Sequence, residues 1–297
     1  MKLGAAGNPG PDDLSLPDQP FAREAGTPVE DFAAYVGCSG WDRKELKNLF
    51  PKNTQDDLKY YSTQFNSVEL NATFYHQFPA SQFKEWKDRS APGFVFFPKL
   101  SHEITHVARL RDFETPVDQF VERISILGEK LGAVFAQMHD TFGPQGFDRF
   151  EAFVKYWRES YKIPLAVDMR NAEWFSDDTF SPRFYRLLED NDVTNIILDT
   201  AGRRDLIHMR LTMPIAFIRF VGCGIDDIDK RRLDTWAAKL AEWKSNGLTE
   251  LYFFVHQHEG RDSPMLAAYF IENFNAATGL NLPGPSILNL KLKGLDP

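Results

Sequence analysis

The stretch FVFFPKLSHEITHVARLRDFETPVDQFVERISILGEKLGAVFAQM (94–138) contains the unit on which the fold depends. It begins with the apolar run FVFF (94–97) and ends with AVFAQM (133–138), and short runs rich in β-branched and aromatic residues are typical of buried strands. Between them, PVDQFVERISILGEKLG (116–132) has apolar residues at helical spacing, and Pro116 is predicted at the first helical position. The order strand, helix, strand predicts two parallel strands joined by a helical crossover.

The same unit recurs along the chain without close sequence repetition. Eight apolar runs predict buried strands: AYVGC (34–38), SVEL (67–70), FVFF (94–97), AVFAQM (133–138), LAVDM (165–169), TNIIL (194–198), IAFIRF (215–220) and LYFFV (251–255). Besides 116–132, the segments 54–65, 81–89, 147–161, 181–191, 231–247 and 263–279 are predicted as helices, with Thr54 as the N-cap of the first. The link 200–213 has the weakest helical pattern.

Eight strand–helix units over residues 31–279 predict a single α/β domain, a (β/α)8 TIM barrel, which requires about 250 residues. A doubly wound open sheet is the alternative. Such a sheet usually has a glycine-rich phosphate loop after its first strand, and GCSGWD (37–42) does not match GxGxxG. Residues 1–30, with five prolines and four glycines, predict a flexible or irregular N-terminal extension, and residues 280–297 a C-terminal tail.

The composition excludes several classes of protein. Of 297 residues, 43% are hydrophobic and 26% charged, which excludes a wholly disordered or collagen-like chain. The formal net charge of −8 argues against broad binding of nucleic acid or anionic membranes. No apolar run approaches the ~18 residues of a membrane span, and the first residues do not resemble a signal peptide, so we expect a cytoplasmic protein. Two cysteines are too few for a disulfide scaffold.

Polar residues close each predicted strand. In a barrel, the carboxyl ends of the strands surround one mouth, where the active sites of this fold lie. These residues are Ser39, Trp41, Glu69, Asn71, Lys99, Gln137, His139, Asp168, Arg170, Asp199, Arg219, His256 and His258.

Five of these positions suggest specific chemistry. Glu69 lies inside an apolar strand, where an unpaired carboxylate is rare, and Asp168 and Arg170 share one side of a strand. Two interpretations stay open: a buried structural ion pair, or a carboxylate and a guanidinium that bind or polarise a substrate. Lys99 and Arg219 could join Arg170 as a clamp for phosphate or carboxylate.

A divalent metal site is a further hypothesis, because His256 and His258 lie on one strand face. Neither HExxH nor CxxC accompanies them, so the metal, like any other cofactor, stays unknown. The other candidate ligands are Glu69, Asp168, Asp199, His106 and His139.

Six segments resemble the YecE-like family, the domain of unknown function 72: GCSGWD (37–42), VELNATFYHQFP (68–79), FFPKLSHEITH (96–106), LGAVFAQMHDTF (131–142), AVDMRNAEWF (166–175) and FIRFVG (217–222). The resemblance covers about residues 35–275 and implies a TIM barrel whose activity is not established. The positions that it carries over are Ser39, Gly40, Trp41, Glu69, Asn71, Thr73, Phe74, Tyr75, Lys99, Thr105, His106, Arg170, Trp174 and Arg219.

The chain departs from the family pattern at three places. Asp168 stands where the family usually has Glu, and Val221 where it often has His. After the eighth strand the chain reads HQHEGRDSPMLAAYF (256–270) instead of the usual asparagine-rich segment. The mouth at the last two strands is therefore expected to differ.

These features predict an enzyme acting on a small polar substrate, phosphorylated or sugar-like, by acid–base chemistry at the barrel mouth. Glu69 or Asp168 would act as general base and His106 as acid, and both hydrolysis and proton-transfer isomerisation fit this set. The expected ligand-binding residues are Trp41, Asn71, Tyr75, Lys99, Arg170, Trp174, Asp199 and Arg219.

Two other functions compete with this one. A non-catalytic barrel could use the same clamp to hold a small molecule or anion. A metal-dependent phosphodiester hydrolase, similar in fold to endonuclease IV, would need a metal cluster and a positive groove, and the net charge of −8 counts against it. The oligomeric state is not predicted.

Overall fold

The computed structural model describes residues 15–17, 31–46, 48–257 and 262–287, in which parallel strands alternate with helices. Each predicted apolar run coincides with a strand, and the run 194–198 is divided at Ile196 into two strands. The strands of the described part are β1 Ala33–Cys38, β2 Ser67–Leu70, β3 Val95–Pro98, β4 Val134–Gln137, β5 Leu165–Asp168, β6 Thr194–Asn195, β7 Ile197–Thr200, β8 Ile215–Gly222 and β9 Glu250–Gln257.

The seven predicted helices are present, together with two short helices that follow strands β2 and β5. The helices are α1 Asp57–Gln64, α2 Ala72–Tyr75, α3 Ala80–Arg89, α4 Glu114–Ile124, α5 Phe147–Ser160, α6 Glu173–Ser176, α7 Ser181–Asp190, α8 Asp226–Ser245 and α9 Ser263–Thr278. The link 200–213 contains a single 3-10 turn, Arg204–Leu206. Among the described helices, none is long and apolar enough to cross a membrane.

Two predicted helix starts are wrong by a few residues. The N-cap of α1 is Asp56, whose carboxylate accepts a hydrogen bond from the backbone N–H of Lys59, so Thr54 lies outside the helix. Helix α4 begins at Glu114, which places Pro116 in its first turn instead of at its first position. Proline is tolerated throughout that turn because the first N–H groups of a helix have no intrahelical partner.

The strands pair in parallel in three sheets, in the orders β1-β9-β8-β7, β2-β3 and β4-β5-β6. The first strand pairs with the last, from Ala33 opposite Glu250 to Cys38 opposite Val255. Isolated bridges from Phe96 to Leu131 and from Lys99 to Phe135 connect β3 with the β4 region. The topology is thus a parallel α/β fold, but its ladders do not form the one closed sheet of the predicted (β/α)8 barrel.

A side chain spans the gap between β1 and β2. Asn66 Oδ1 accepts a hydrogen bond from the backbone N–H of Val36 at 2.9 Å, and Asn66 Nδ2 donates to the carbonyl of Ala34 at 2.7 Å. The two strands lie so close that a Cβ atom on Gly37 would be 2.1 Å from the carbonyl oxygen of Ser67. Glycine is therefore required at position 37, where two backbones meet.

A small aromatic cluster fills the space enclosed by the strands. Phe97 of β3 lies 6.0 Å from Phe217 of β8 and 5.0 Å from Phe254 of β9, measured between ring centroids. Phe135 of β4 lies 5.7 Å from Phe217. We call this set the inner layer, and its buried members are Phe97, Ala133, Phe135, Ala166, Ile196, Phe217, Tyr252 and Phe254. A larger apolar cluster packs the outer faces of the strands against the helices.

Candidate functional site

Polar side chains follow the inner layer toward the carboxyl ends of the strands. Because residues i and i+2 of a strand point to the same face, the alternation that builds the inner layer also turns these side chains inward. Lys99 stands two residues after Phe97, and Arg219 two residues after Phe217. We call the set the strand-end cluster, and it consists of Glu69, Lys99, Gln137, Asp168, Arg170, Arg219 and His256, all of them buried.

Arg219 lies at the centre of this cluster and is 4% exposed. Its Nε and Nη2 atoms each donate a hydrogen bond of 2.8 Å to the carboxylate of Glu69. Its Nη1 atom donates to Asp168 Oδ2 at 2.6 Å and to Gln137 Oε1 at 3.0 Å. Burial opposes the charge of Arg219, but the two carboxylates raise its pKa above the usual value. The guanidinium is therefore permanently charged and held from two sides.

Glu69 is fully engaged by its neighbours. Besides Arg219, it accepts hydrogen bonds from Asn71 Nδ2 at 2.6 Å and, with 3.1 Å between the atoms, contacts His256 Nε2. Burial alone would raise the pKa of Glu69, but Arg219 and His256 hold it well below its usual range. A carboxylate with such a low pKa is a poor proton acceptor. The geometry therefore favours the structural ion pair over the general base for Glu69.

Asp168 is held in the same way. Its Oδ2 atom accepts a 2.8 Å hydrogen bond from Arg170 Nη2, and its Oδ1 atom lies 2.7 Å from Arg170 Nε. Burial again raises its pKa, but the charges of Arg170 and Arg219 lower it below the usual value. Asp168 thus orients two guanidinium groups, and the ion pair that the sequence suggested between Asp168 and Arg170 is present.

Gln137 joins the three cations of the cluster. Its Oε1 atom accepts from Lys99 Nζ at 2.9 Å, from Arg170 Nη2 at 3.0 Å and from Arg219 Nη1 at 3.0 Å. The sequence marks Gln137 as a strand-end residue but assigns it no role. The sequence does contain a signal for this inward position: Gln137 stands two residues after Phe135, and that spacing places both side chains on the inner face of the strand.

Lys99 differs from the two arginines. It is 4% exposed, and its Nζ atom lies 4.0 Å from the ring centroid of Phe74. Within the described part of the chain, Lys99 forms no ion pair with a carboxylate. Burial and the charge of Arg219 lower the pKa of Lys99 well below the usual value. Its amine is therefore driven toward the neutral form.

Thr105 forms a hydrogen bond with the His106 ring. The Thr105 hydroxyl donates its one proton to the carbonyl of Ser101 at 3.1 Å, and it lies 2.9 Å from His106 Nδ1. When the hydroxyl donates to Ser101, it accepts from His106, and in that tautomer Nδ1 carries the proton and Nε2 a lone pair. His106 Nε2 is buried and has no protein hydrogen-bond partner among the described residues.

The charge state of His106 follows from its surroundings. Burial and the neighbouring charge of Lys99 lower the pKa of His106 to about 3. At neutral pH the ring is uncharged, so it carries no proton to give as the acid predicted from the sequence, and with this pKa it is a weak base unless a bound anion raises the value. His106 belongs to a π-helical turn, Glu103–Val107, a feature that is frequent at functional sites.

A cavity of 240 Å³ opens beside Phe74. The Phe74 ring lies 4.8 Å from the ring of His106, so one aromatic side chain contacts the cavity, His106 and Lys99. Tyr75, expected to bind a ligand, is 62% exposed at this cavity. The residues that line it are Phe74, Tyr75, His76, Gln77, Ser101, His102 and Glu103.

Two tryptophans that were predicted to bind a ligand pack against other aromatic side chains. Trp174 is fully buried, donates from Nε1 to the carbonyl of Phe142 at 2.6 Å, and stacks on the Phe142 ring at 6.0 Å. Trp41 is partly buried and packs edge-on against Trp86 and Phe96, at 5.4 and 6.1 Å. Both the ring of Trp174 and its N–H group are engaged in the core, and its binding of a ligand stays a prediction.

Asp199 belongs to a different cluster. Its carboxylate contacts Arg204, lies 2.8 Å from Arg232 Nη2, and accepts from Trp236 Nε1 at 2.8 Å. Arg232 in turn donates to Asp229 Oδ1 at 2.9 Å. We call these five residues the helix-anchor cluster, because they tie β7 to α8. Asp199 therefore lies in the helix-anchor cluster. The ligand-binding prediction would place it in the strand-end cluster.

The metal hypothesis finds little support in the described residues. His258 lies outside them, and His256 is engaged with Glu69 at 3.1 Å. His139 contacts His106 edge-on at 5.2 Å and bonds Thr141. Within residues 15–17, 31–46, 48–257 and 262–287, no group of three or more His, Cys, Asp or Glu side chains is arranged to hold a metal ion.

The chain is similar to several known proteins. The UPF0759 protein YecE of Escherichia coli K12 is 27% identical over 252 residues, which cover 78% of this chain and 89% of that protein. The UPF0759 protein YunF of Bacillus subtilis 168 is 30% identical over 163 residues, which cover 51% of this chain and 54% of that protein.

Solved structures of related proteins have a similar fold. A DUF72 family protein of Thermotoga maritima MSB8 superimposes with a TM-score of 0.63 at 25% identity, covering 81% of this chain and 98% of that chain. A DUF72 family protein of Enterococcus faecalis V583 gives a TM-score of 0.65 at 19% identity, covering 89% of this chain and all of that chain. A family model described as protein of unknown function DUF72 matches residues 35–287. The chain therefore belongs to the DUF72 family, as the resemblance of its motifs implies.

Proposed function

We propose that residues 31–279 form a complete (β/α)8 barrel with the strand-end cluster at its mouth. The pairing of β1 with β9 supports this, because a barrel joins its first and last strands. The two hydrogen bonds of Asn66 support contact between β1 and β2. The inner layer combines side chains of all three sheets, as the interior of a barrel does.

We further propose that the protein is an enzyme that moves protons on a small, polar, anionic substrate. The observation that carries this proposal is the buried Nε2 atom of His106, which has no protein partner among the described residues and, in the tautomer protonated at Nδ1, presents a lone pair. A buried polar atom without a partner is rare unless a ligand or water completes it. A substrate hydroxyl or C–H group is a suitable partner.

The charges around His106 explain why the substrate should be anionic. Lys99 and Arg170 both contribute to the low pKa of the His106 ring. A phosphate or carboxylate bound beside them would oppose their effect and raise that pKa, which makes Nε2 a stronger base once substrate is present. Binding and activation of the base would then be coupled.

The remaining members of the cluster would position the charges. Glu69 and Asp168 hold Arg219 and Arg170 in fixed orientations through hydrogen bonds of 2.6 to 2.8 Å. Donors that are fixed before the reaction stabilise developing negative charge without the cost of reorganisation. In this proposal the two carboxylates are positioning residues, and His106 is the catalytic base.

Proton exchange in deuterated water tests this function without knowledge of the natural substrate. The protein is incubated with a panel of sugar phosphates and 2-oxo acids, and the loss of C–H signals is followed by proton NMR. We expect exchange next to a carbonyl group, and we expect His106→Asn to slow it by at least about 100-fold. Unchanged melting temperatures would show that the variant is folded.

A binding test separates catalysis from simple ligand binding. Inorganic phosphate should raise the melting temperature of the wild type and of Arg158→Gln, which removes an exposed ion pair, but not that of Arg170→Lys. Stabilisation by phosphate without exchange of any compound would favour the non-catalytic barrel. Exchange that persists in His106→Asn would contradict the role of His106.

A further inference from the structure

We infer that Lys99 is a covalent nucleophile, which forms an imine with the carbonyl carbon of a small anionic carbonyl compound. This inference rests on the proposed function and names the substrate class of the same site. Lys99 follows β3 at the carboxyl end of the strand, and Phe74, on whose ring its Nζ atom lies at 4.0 Å, also lines the 240 Å³ cavity.

A comparison with the second buried lysine shows what is unusual about Lys99. Lys130 is 8% exposed, and its Nζ atom donates three hydrogen bonds of 2.8 Å, to the carbonyls of Lys87 and Ser90 and to the Ser90 hydroxyl. Three acceptors match the three N–H donors of an ammonium group. Lys130 is therefore a structural cation.

Lys99 has no such set of acceptors. The described hydrogen bond of its Nζ atom goes to Gln137 Oε1 at 2.9 Å, an oxygen already shared with Arg170 and Arg219. The Phe74 ring covers it without offering a strong acceptor, and the nearby carboxylates of Glu69 and Asp168 are paired with arginines and form no ion pair with it. A neutral amine fits these surroundings better than an ammonium, and a neutral amine has the lone pair of a nucleophile.

The step balances without a further reactant except a proton. The Nζ lone pair attacks the carbonyl carbon and forms a C–N bond, while the C=O π pair moves to oxygen. One proton leaves nitrogen for that oxygen, a second is taken up from solvent, and water departs. The product is a protonated imine with one positive charge, and no group is oxidised or reduced.

The positive charge explains the need for an anionic substrate. A protonated imine at Lys99 would stand among Arg170 and Arg219, and like charges in a buried site repel each other. A carboxylate or phosphate on the same substrate would offset that repulsion and could accept hydrogen bonds from Arg170. A 2-oxo acid or a phosphorylated ketone meets both requirements, whereas a neutral ketone does not.

Reductive trapping tests the inference on the full-length protein. Pyruvate is added with sodium cyanoborohydride, which reduces an imine to a stable amine, and the modified lysine is located by peptide mass spectrometry. We expect one adduct per chain, on Lys99, formed at least about tenfold faster than on Lys130 or the exposed Lys84, because each unit of lowered pKa gives ten times more neutral amine. Lys99→Arg should abolish that adduct.

Two further probes sharpen the result. Acetone, which has no anionic group, should label Lys99 more slowly than pyruvate, and inorganic phosphate should slow labelling by pyruvate. The site of labelling is read from the wild type itself, so a poorly folded variant does not decide the outcome. Equal labelling of all lysines, or no labelling of Lys99 by pyruvate and dihydroxyacetone phosphate, would overturn the inference.

A negative result of the trapping experiment can be distinguished from a negative result of the exchange experiment. Proton exchange that depends on His106, in a protein whose Lys99 is not trapped, overturns the imine and leaves the proposed function standing. Loss of exchange, phosphate binding and trapping together overturns both.

Discussion

The strand-end cluster and the helix-anchor cluster are built from the same kinds of residue, but their charges add up differently. In the helix-anchor cluster, Asp199 and Asp229 face Arg204 and Arg232, so two carboxylates meet two guanidiniums. Each charge has an opposite partner. Such a cluster can fasten a helix to a strand, but it leaves nothing for a ligand to neutralise.

In the strand-end cluster, the same pairing of two carboxylates with two arginines is followed by a third basic group. Glu69 and Asp168 pair with Arg219 and Arg170, and Lys99 forms no ion pair among the described residues. The bare Nε2 atom of His106 lies beside it. Among the described residues, a candidate site is therefore marked by a basic group without an ion-pair partner and by a buried ring nitrogen without a protein partner, and not by the number of buried charges.

The largest effect is expected from Arg219→Met. This change leaves Glu69 and Asp168 buried without their shared partner, and breaking a buried ion pair costs about 3–5 kcal/mol of unfolding free energy. Urea unfolding measures the loss. The matched control is Arg158→Met, whose exposed pair with Asp192 contributes only about 0–1 kcal/mol. A loss as small as that of the control would mean that the carboxylates do not depend on Arg219.

Asp229→Asn should separate the two clusters. The Asp229 carboxylate accepts from Arg232 and from the backbone N–H groups of Cys223 and Gly224, so we expect a loss of about 3 kcal/mol in urea unfolding. Trapping of Lys99 by pyruvate should stay at the wild-type rate. If the trapping rate falls together with stability, the two clusters are coupled. The helix-anchor cluster would then not be separate from the candidate site.

Lys99→Met should stabilise the protein, by about 1 kcal/mol at neutral pH. The pKa of Lys99 is lowered in the folded chain, so between that pKa and its usual value of 10.5 the unfolded chain binds more protons. The contribution of Lys99 to the free energy of unfolding therefore rises with pH between these two pKa values. The gain in melting temperature of Lys99→Met should shrink as pH approaches 10.5, and a gain that does not vary with pH would contradict a neutral Lys99.

The smallest effect on stability is expected from Tyr75→Ala. Tyr75 is 62% exposed, and exposed substitutions usually change stability by less than about 0.5 kcal/mol. Because Tyr75 lines the cavity beside Phe74, labelling of Lys99 by pyruvate should nevertheless slow severalfold. Unchanged labelling would mean that small molecules reach Lys99 by another route.

The strands and most of the strand-end cluster could be predicted from the sequence because local alternation carries the information. Phe97 and Lys99, or Phe217 and Arg219, have the two-residue spacing that places both on one face. In the run TNIILD (194–199) the alternation is ambiguous, since Ile196, Ile197 and Leu198 are all apolar. Asp199 stands two residues after Ile197 of the outer layer, so it points toward α8.

Other features of the site could not be predicted from the sequence because they depend on neighbours that are distant in sequence. Nothing local distinguishes Trp174, whose ring is covered in the core, from an aromatic residue that stacks on a ligand. Nor does local sequence show that the Thr105 hydroxyl lies between the Ser101 carbonyl and His106 Nδ1, or that burial beside Lys99 lowers the pKa of His106. Hydrogen-bond roles follow from which acceptor is within reach, and that is a property of the packed structure.

The sequence by itself determined the parallel α/β fold, the family and the polar residues at the strand ends, because hydrophobic periodicity and short motifs are local properties of the chain. Only the tertiary structure decided which charges neutralise each other. Glu69 and Arg219 are 150 positions apart, yet they share two hydrogen bonds of 2.8 Å. Whether a buried charge is balanced or left over depends on distances across the fold, since electrostatic energy in a low-dielectric interior depends strongly on separation.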